Sequence, residues 1–414
     1  MNTHSHVAIV GAGHAGGRVA QHLRALGHSG RVTLIGAEAH APYERPALSK
    51  EMLLGTTASE SLVLAPRAFW MDDALAGIGI ERVHATAESL DVDARRVRLH
   101  DGRHIGFDQL VVATGAAARR LPVPGCDLPG VHVLRTLDDC IALKAAFPAC
   151  RELAIIGGGV IGMEVASSAT KLGMRVTVLE AGSAIMNRCL PPLVSAWLEA
   201  KHAEHGVAVK KNVRVEKIVK TGERLQIVAR TGDEPLLTNA DCVLMATGAD
   251  CHPAFLHGTG LADTQGVHVD AHCRSPLAPW LYAAGDVACL RDAESGIALR
   301  QETWCNAENQ ARAVAEMLLG RTEPYRETPW MWTDQHGHAI QVTGTPDGAH
   351  EWIVRGSLEA ASATVVGLRD GCVHAGVTIN QSRDRRHIET LVTGRQAVDR
   401  LRIADTRHAL KTFL

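Results

Sequence analysis

The chain has 414 residues, 46% of them hydrophobic, which suits two to three domains with sizeable cores. A formal charge of −2 gives no footing for nucleic acid. No apolar run reaches the ~18 residues of a membrane span, and "MNTHSHVAIV" lacks the basic start and cleavage site of a secretory leader.

Taken in chain order, His6–Val10 reads as a short strand ending at Gly11. Arg18–Leu26 has helical periodicity and stops at Gly27, and Arg31–Ile35 is a second strand. Strand, glycine turn, helix, strand is the opening of a doubly wound fold. Arg151–Ile156, a second glycine turn, Met163–Leu172 and Arg175–Leu179 repeat it. Each copy later reaches a hairpin and an apolar strand closing on Ala-Thr-Gly. The first is "VRLHDGRHIGFDQLVVATG", turning at Asp101-Gly102 and ending at Thr114-Gly115. The second is "LQIVARTGDEPLLTNADCVLMATG", ending at Gly248. After Arg321 the texture changes. Two strands flank the hairpin turn Asp370-Gly371, and "RRHIETLVTGRQAV" reads as a helix.

Both turns have the spacing G-x-G-x-x-G, as Gly11, Gly13, Gly16 and as Gly157, Gly159, Gly162. The first glycine permits a tight turn, the second admits a pyrophosphate, and the third lets helix pack on strand. The phosphates then meet free N–H groups at a helix N-terminus. An acid after the second strand should bind ribose hydroxyls. Glu180 ends "RVTVLE", and no basic residue follows until Arg188, which favours NAD over NADP. In the first copy Glu38 is the nearest acid, and it reads equally well as a solvated loop residue.

None of the ten cysteines stands in C-x-x-C or another close pair, and none precedes Cys126. That argues against a zinc site, a bound iron–sulfur cluster or a local redox disulfide, and predicts reduced cysteines in a cytoplasmic protein. His4-Ser5-His6 and His336-Gly337-His338 read as solvated loop histidines, and no metal is expected.

"LYAAGDVA", with Gly285-Asp286 after an apolar strand, resembles the second FAD motif of flavoproteins with two dinucleotide domains, in which the aspartate binds the ribitol chain. This assigns the first glycine turn to FAD and the second to the nicotinamide cofactor, so that a hydride passes between two nucleotides. "PYERPALSKEML" narrows the family. Disulfide reductases of this fold carry a C-x-x-x-x-C pair here. This segment instead resembles the "RPPLSK" stretch of FAD-dependent NADH:ferredoxin reductases of bacterial oxygenase systems, the putidaredoxin reductase and biphenyl dioxygenase reductase type. "LRTLDD", "QETWCNAENQA" and "PWMWTDQ" agree, and the similarity runs from about Val7 to about Asn380.

The resemblance implies an α/β protein with two Rossmann-like, glutathione-reductase-like domains and a C-terminal α+β domain. FAD segments at 1–115 and 249–322 would flank an NAD domain at 116–248, with the C-terminal domain at 323–414. Lys50 would lie near the flavin, Trp304 against the isoalloxazine, and Glu164 would orient the nicotinamide amide. Arg45 and Arg135 would contact FAD phosphates or ribityl groups, Ala15 an FAD phosphate, and Ala87 the adenine. His14, Thr114 and Gly115 complete the FAD set, and Val160, Ile161, Arg188 and Gly248 the NAD set. Ala47 replaces the second proline of the family segment, and Ala37 stands where some relatives carry the ribose acid. Trp330 reads as a core aromatic, and Trp332 as a core aromatic or an electron relay.

The implied activity carries electrons from NADH through FAD to a [2Fe-2S] ferredoxin, Rieske type included, that feeds a ring-hydroxylating dioxygenase or a cytochrome P450. Arg67, Arg291, Arg300 and Arg326 flank the flavin motifs and are candidate docking residues. Two rivals are an NADH oxidase or peroxide reductase and a redox-sensing flavoprotein. The missing early cysteine counts against the first, and nothing in the charge pattern favours the second.

Overall fold

Val7–Val10 is buried along its whole length because both faces of its sheet are covered. Val7 and Ile9 face one core, with Val19 and Leu23 of the following helix, while Ala8 and Val10 face another, with Val97 and Leu99. The computed structural model describes residues 4–70, 79–251, 253–291 and 298–414. The leader reading at the N-terminus therefore lies partly outside the described residues.

The first unit is formed by residues 1–45, 59–117 and 250–327. Its centre is a five-stranded parallel sheet in the order Leu281–Ala283, Gln109–Val112, Val7–Val10, Val32–Gly36 and Glu81–His84. The first helix, His14–Ala25, starts four residues before the expected Arg18, because Gly16 and Gly17 break the apolar period at its head. It packs along Trp304–Leu318, whose Ala311, Val314 and Ala315 enter the same core. The expected hairpin forms from Arg96–Leu99 and His104–Gly106, with Ala87–Asp91 as the third antiparallel strand.

The second unit comprises residues 46–58, 118–249 and 328–414. It repeats the parallel sheet as Val207–Lys210, Arg175–Leu179, Glu152–Ile156, Cys242–Met245 and Val131–Val133. Helix Val160–Lys171 follows the central strand, and Pro192–Glu204 packs on the edge strand. A second sheet, antiparallel, orders Trp330–Gln335, His338–Gly344, Cys372–Ile379, Ser362–Arg369 and Glu351–Ser357.

Asp370 and Gly371 turn the expected hairpin with φ of 51° and 76°, the left-handed pair of a type I′ turn. Helix Arg385–Thr393 covers that sheet. It is shorter than the periodicity predicts, because after Gly394 the chain returns to the sheet, where Gln396 O accepts from Val373 N–H. The buried Arg355 holds the C-terminal stretch by donating to the carbonyls of Ile403, Asp405, Thr406 and His408. Among the described residues no helix is long and apolar enough to cross a membrane.

Candidate active site

The two glycine turns are built alike. Gly11 and Gly157 have φ of 117° and 106°, and a Cβ on either would fall within 2.4 Å of a backbone oxygen of the adjacent strand, so only glycine fits. Gly16 and Gly162 lie against the carbonyls of Gly11 and Gly157, which lets each helix close on its strand. The middle glycines differ. A Cβ on Gly159 would meet nothing within 4 Å, and one on Gly13 would meet only the Arg45 guanidinium at 3.4 Å. Each middle glycine precedes a helix whose N-terminus no side chain caps. Open backbone before free N–H groups is the cradle a pyrophosphate needs.

In the first unit, Ala15 touches the Gly285 position, where a Cβ would come within 2.9 Å of the Ala15 methyl. Asp286 follows in the turn Gly285–Val287, and Gly285 N–H donates to Gln310. Thr114 passes beside Gly11, and Gly115 follows it with a φ of 65°. Glu38 lines a cleft with Ala12, Gly36 and Arg82–His84. It is not a solvated loop residue: its carboxylate accepts from Tyr43 Oη and Arg45 Nη2, each at 2.6 Å. Ala87 opens the antiparallel strand and pairs with Leu99.

Trp304 begins its helix and donates from Nε1 to Glu44. The His14 ring lies 5.3 Å from the Trp304 ring, with Nε2 2.8 Å from Glu308 Oε2 and Nδ1 3.4 Å from Glu44 Oε2. Burial opposes the charge on His14, but the two carboxylates prevail and hold its pKa above the usual value. Glu308 is held well below the usual carboxylate range: burial opposes this, but hydrogen bonds from His14 and His22 and the Arg18 charge outweigh it.

In the second unit, Glu180 ends its strand and accepts the N–H groups of Gly158 and Gly182, each at 2.6 Å. The carboxylate is thereby fixed at the side of the glycine turn. Val160 and the half-exposed Ile161 open the helix after Gly159. Arg188 is exposed, and Gly248 bonds through its carbonyl to Arg119 N–H. Arg135 precedes a capping box in which Thr136 and Asp139 close the helix Leu137–Ala146.

Lys50 and Glu164 are brought together there from positions 114 residues apart, Lys50 Nζ standing 3.1 Å from Glu164 Oε1. Glu164 is 3% exposed and Lys50 8%. Ser49 donates to Glu164 Oε2, and Thr333 Oγ1 donates to Oε1 at 2.7 Å. Burial raises the Glu164 pKa, and Lys50, Ser49 and Thr333 work against that rise. Ser49 and Thr333 lie inside two of the four segments that carry the family resemblance, yet nothing in either segment marks them as partners of Glu164. Lys50 also lies 5.8 Å over the Trp332 ring, and Trp332 is 5.6 Å from Trp330. Trp330 is half-buried with the Arg385 guanidinium over its ring, so it is a surface-edge aromatic, not a core one.

His336 also departs from the expectation. It is 9% exposed, at the turn after Trp330–Gln335, stacked on His205 and bonded to His202. The tight turn folds its ring back onto the helix Pro192–Glu204 instead of into solvent. All ten cysteines are free; Cys150 and Cys242 are buried, and the Cys150 thiol donates to the Glu152 carbonyl at 3.5 Å.

Residues 5–311 match the family model described as pyridine nucleotide-disulphide oxidoreductase, and residues 330–414 match a reductase C-terminal model. The chain belongs to the pyridine nucleotide-disulphide oxidoreductase family. This oxidoreductase is 37% identical to the benzene 1,2-dioxygenase system ferredoxin–NAD(+) reductase subunit of Pseudomonas putida, over 99% of this chain and 98% of the relative. The ferredoxin reductase for the CYP199A2 system from Rhodopseudomonas palustris superposes with a TM-score of 0.92 at 32% identity, covering 98% and 99% of the two chains. The covalent putidaredoxin reductase–putidaredoxin complex superposes with a TM-score of 0.90 at 31% identity, covering 99% and 98%. In this oxidoreductase the segment Pro46–Leu54 holds Lys50 and no cysteine, so the disulphide of the family's name has no counterpart there.

Proposed function

We propose that this oxidoreductase is an NADH-dependent ferredoxin reductase that passes electrons through FAD to a [2Fe-2S] ferredoxin, which feeds a bacterial ring-hydroxylating dioxygenase or a cytochrome P450 in the cytoplasm. The observation that carries this reading is the paired glycine cradle, one copy beside Asp286 and the other beside Glu180, in a chain without a cysteine at Pro46–Leu54. FAD supplies the exchange between a two-electron donor and a one-electron acceptor.

The residues of the chain bind and orient. The Gly11–Gly16 turn, Asp286, Arg45 and Glu38 would hold the FAD pyrophosphate, ribitol and ribose, without a covalent link. Thr114, Gly115, Ala87 and Arg135 complete that set. The Gly157–Gly162 turn and Glu180 would hold NAD, with Val160, Ile161, Arg188 and Gly248 beside them. Glu180 disfavours the 2′-phosphate of NADP because a fixed carboxylate repels it. The Oε2 of Glu164 accepts from Ser49 and keeps a further lone pair for an amide N–H of nicotinamide. Lys50, charged and buried, would offset negative charge near the flavin, and Trp304, anchored by Glu44, would cover a ring face. Residues 1–115 and 249–322 would form the FAD domain, 116–248 the NAD domain, and 323–414 the C-terminal domain. Ten free cysteines suit a reducing compartment.

The test is to supply the purified holoenzyme with NADH and, in turn, a [2Fe-2S] ferredoxin, oxygen and hydrogen peroxide. Ferredoxin should be reduced far faster than either oxygen species. Faster turnover with oxygen or peroxide would replace this reading with an oxidase or peroxide reductase.

A further inference from the structure

Behind Glu164 lies a line of hydrogen bonds that all point the same way. Thr333 Oγ1 donates to Glu164 Oε1 at 2.7 Å. Gln335 Nε2 donates to Thr333 Oγ1 at 2.9 Å, and Gln335 Oε1 faces His202 Nε2 at 2.7 Å. His202 Nδ1 meets His336 Nε2 at 2.9 Å. Thr333, Gln335 and His202 are fully buried.

The chemistry of each group fixes the direction. A hydroxyl has one proton to give, and with the Gln335 N–H on its oxygen Thr333 gives that proton to the carboxylate. Gln335 presents its nitrogen to Thr333 and to Met186 Sδ, at 3.4 Å, which leaves its oxygen to accept from His202. With Nε2 donating to Gln335, a neutral His202 must accept at Nδ1, so His336 donates from Nε2. Burial lowers the pKa of His202 to about 4 and that of His336 to about 3, so both rings are neutral at pH 7.

We propose that Thr333, Gln335, His202 and His336 form a positioning relay that aims the Glu164 carboxylate and thereby sets the affinity for the nicotinamide half of NAD. It rests on the reading of Glu164 as the acceptor for the nicotinamide amide. The ordinary demand that buried polar groups be paired explains why these residues bond to one another. It does not explain why the four bonds that link His336, His202, Gln335, Thr333 and Glu164 all run towards one carboxylate that keeps a lone pair free. Without the relay, the Thr333 hydroxyl turns and Glu164 Oε1 keeps only Lys50, so the carboxylate can rotate.

The experiment measures binding of NAD+ and of ADP-ribose, which lacks the nicotinamide, to the oxidised holoenzyme by titration calorimetry. Gln335→Met and His202→Phe should each weaken NAD+ by about three- to tenfold, the loss of roughly one net hydrogen bond, and leave ADP-ribose unchanged. His202→Gln, which keeps an N–H donor, should recover most of the loss. The two sites lie on different elements, so if one variant loses FAD the other decides. Glu164→Gln is the control. If it leaves the NAD+/ADP-ribose ratio unchanged, the nicotinamide reading fails and the relay with it. If it shifts the ratio while Gln335→Met and His202→Phe do not, the relay alone is wrong. Equal weakening of both ligands would mean a merely structural role and would also overturn the relay.

Discussion

Lys50 Nζ lies 3.1 Å from Glu164 Oε1, and both side chains are buried. A buried pair of this kind is costly to break from one side, because the remaining charge is left without a counter-charge, at about 3–5 kcal/mol. Lys50→Met should therefore destabilise the protein strongly, and the loss should depend on pH. Burial raises the Glu164 pKa above 4.5 in the folded state, so folding binds its proton more tightly than the unfolded chain does. Stability from this group is greatest below 4.5 and falls as pH rises through the raised value. Removing the ammonium raises that value further. Urea midpoints at pH 5 and pH 8 should show a larger loss for Lys50→Met at pH 8. An equal loss at both would contradict it.

His14 gives the opposite kind of test. Its pKa is raised above 6.5 because Glu308 and Glu44 outweigh its burial. The stability it supplies is fully present below 6.5 and is lost as pH rises through the folded value. Melting curves between pH 6 and 9 should show a decline that His14→Gln flattens. The variant should also release FAD more readily, since Glu44, which holds Trp304, loses one of its two cationic neighbours and keeps only Arg18. A decline of the same size in the variant would assign the effect elsewhere.

The parts of this fold legible in the sequence are those fixed by local pattern. The apolar strands Val7–Val10 and Glu152–Ile156 and the glycines after them announce themselves, because a tight turn and a buried parallel strand constrain consecutive residues. The Asp370-Gly371 hairpin is legible for the same reason. Contacts made across long separations are not. Neither Ser49 nor Thr333 carries a local signal that it faces Glu164, and the burial of His336 depends on a helix more than 130 residues earlier. Glu38 gave an ambiguous signal, since only the folded loop brings Tyr43 and Arg45 onto its carboxylate.

Glu180 should decide the nucleotide. Its carboxylate is locked by two backbone N–H groups, that of Gly158 in the glycine turn and that of Gly182 in the loop after its own strand. Glu180→Ser should reduce the preference for NADH over NADPH by about tenfold or more, a change of ~1.4 kcal/mol. The ratio of kcat/KM for the two nucleotides measures it. An unchanged ratio would mean that the ribose is read elsewhere.

Ferredoxin docking should be electrostatic although the chain is nearly neutral. Arg67, Arg291 and Arg326 are exposed, while Arg300 is paired with Glu302 at 2.7 Å. Surface charges are screened over ~8 Å at physiological ionic strength. Ferredoxin reduction should slow as salt rises, and reduction of ferricyanide, which needs no docking patch, should change much less. A flat ferredoxin rate would reject electrostatic docking and point to an apolar contact around Trp330 and Trp332.

The most direct test is an anaerobic double-mixing experiment. One equivalent of NADH is mixed with the holoenzyme, and the product is mixed with excess [2Fe-2S] ferredoxin while flavin, ferredoxin and thiols are followed. One NADH should bleach one FAD with no newly titratable thiol, and two ferredoxins should then be reduced as the flavin colour returns. Bleaching that needs two equivalents of NADH, the appearance of two thiols, or a reduced flavin that ferredoxin fails to reoxidise would contradict the assignment.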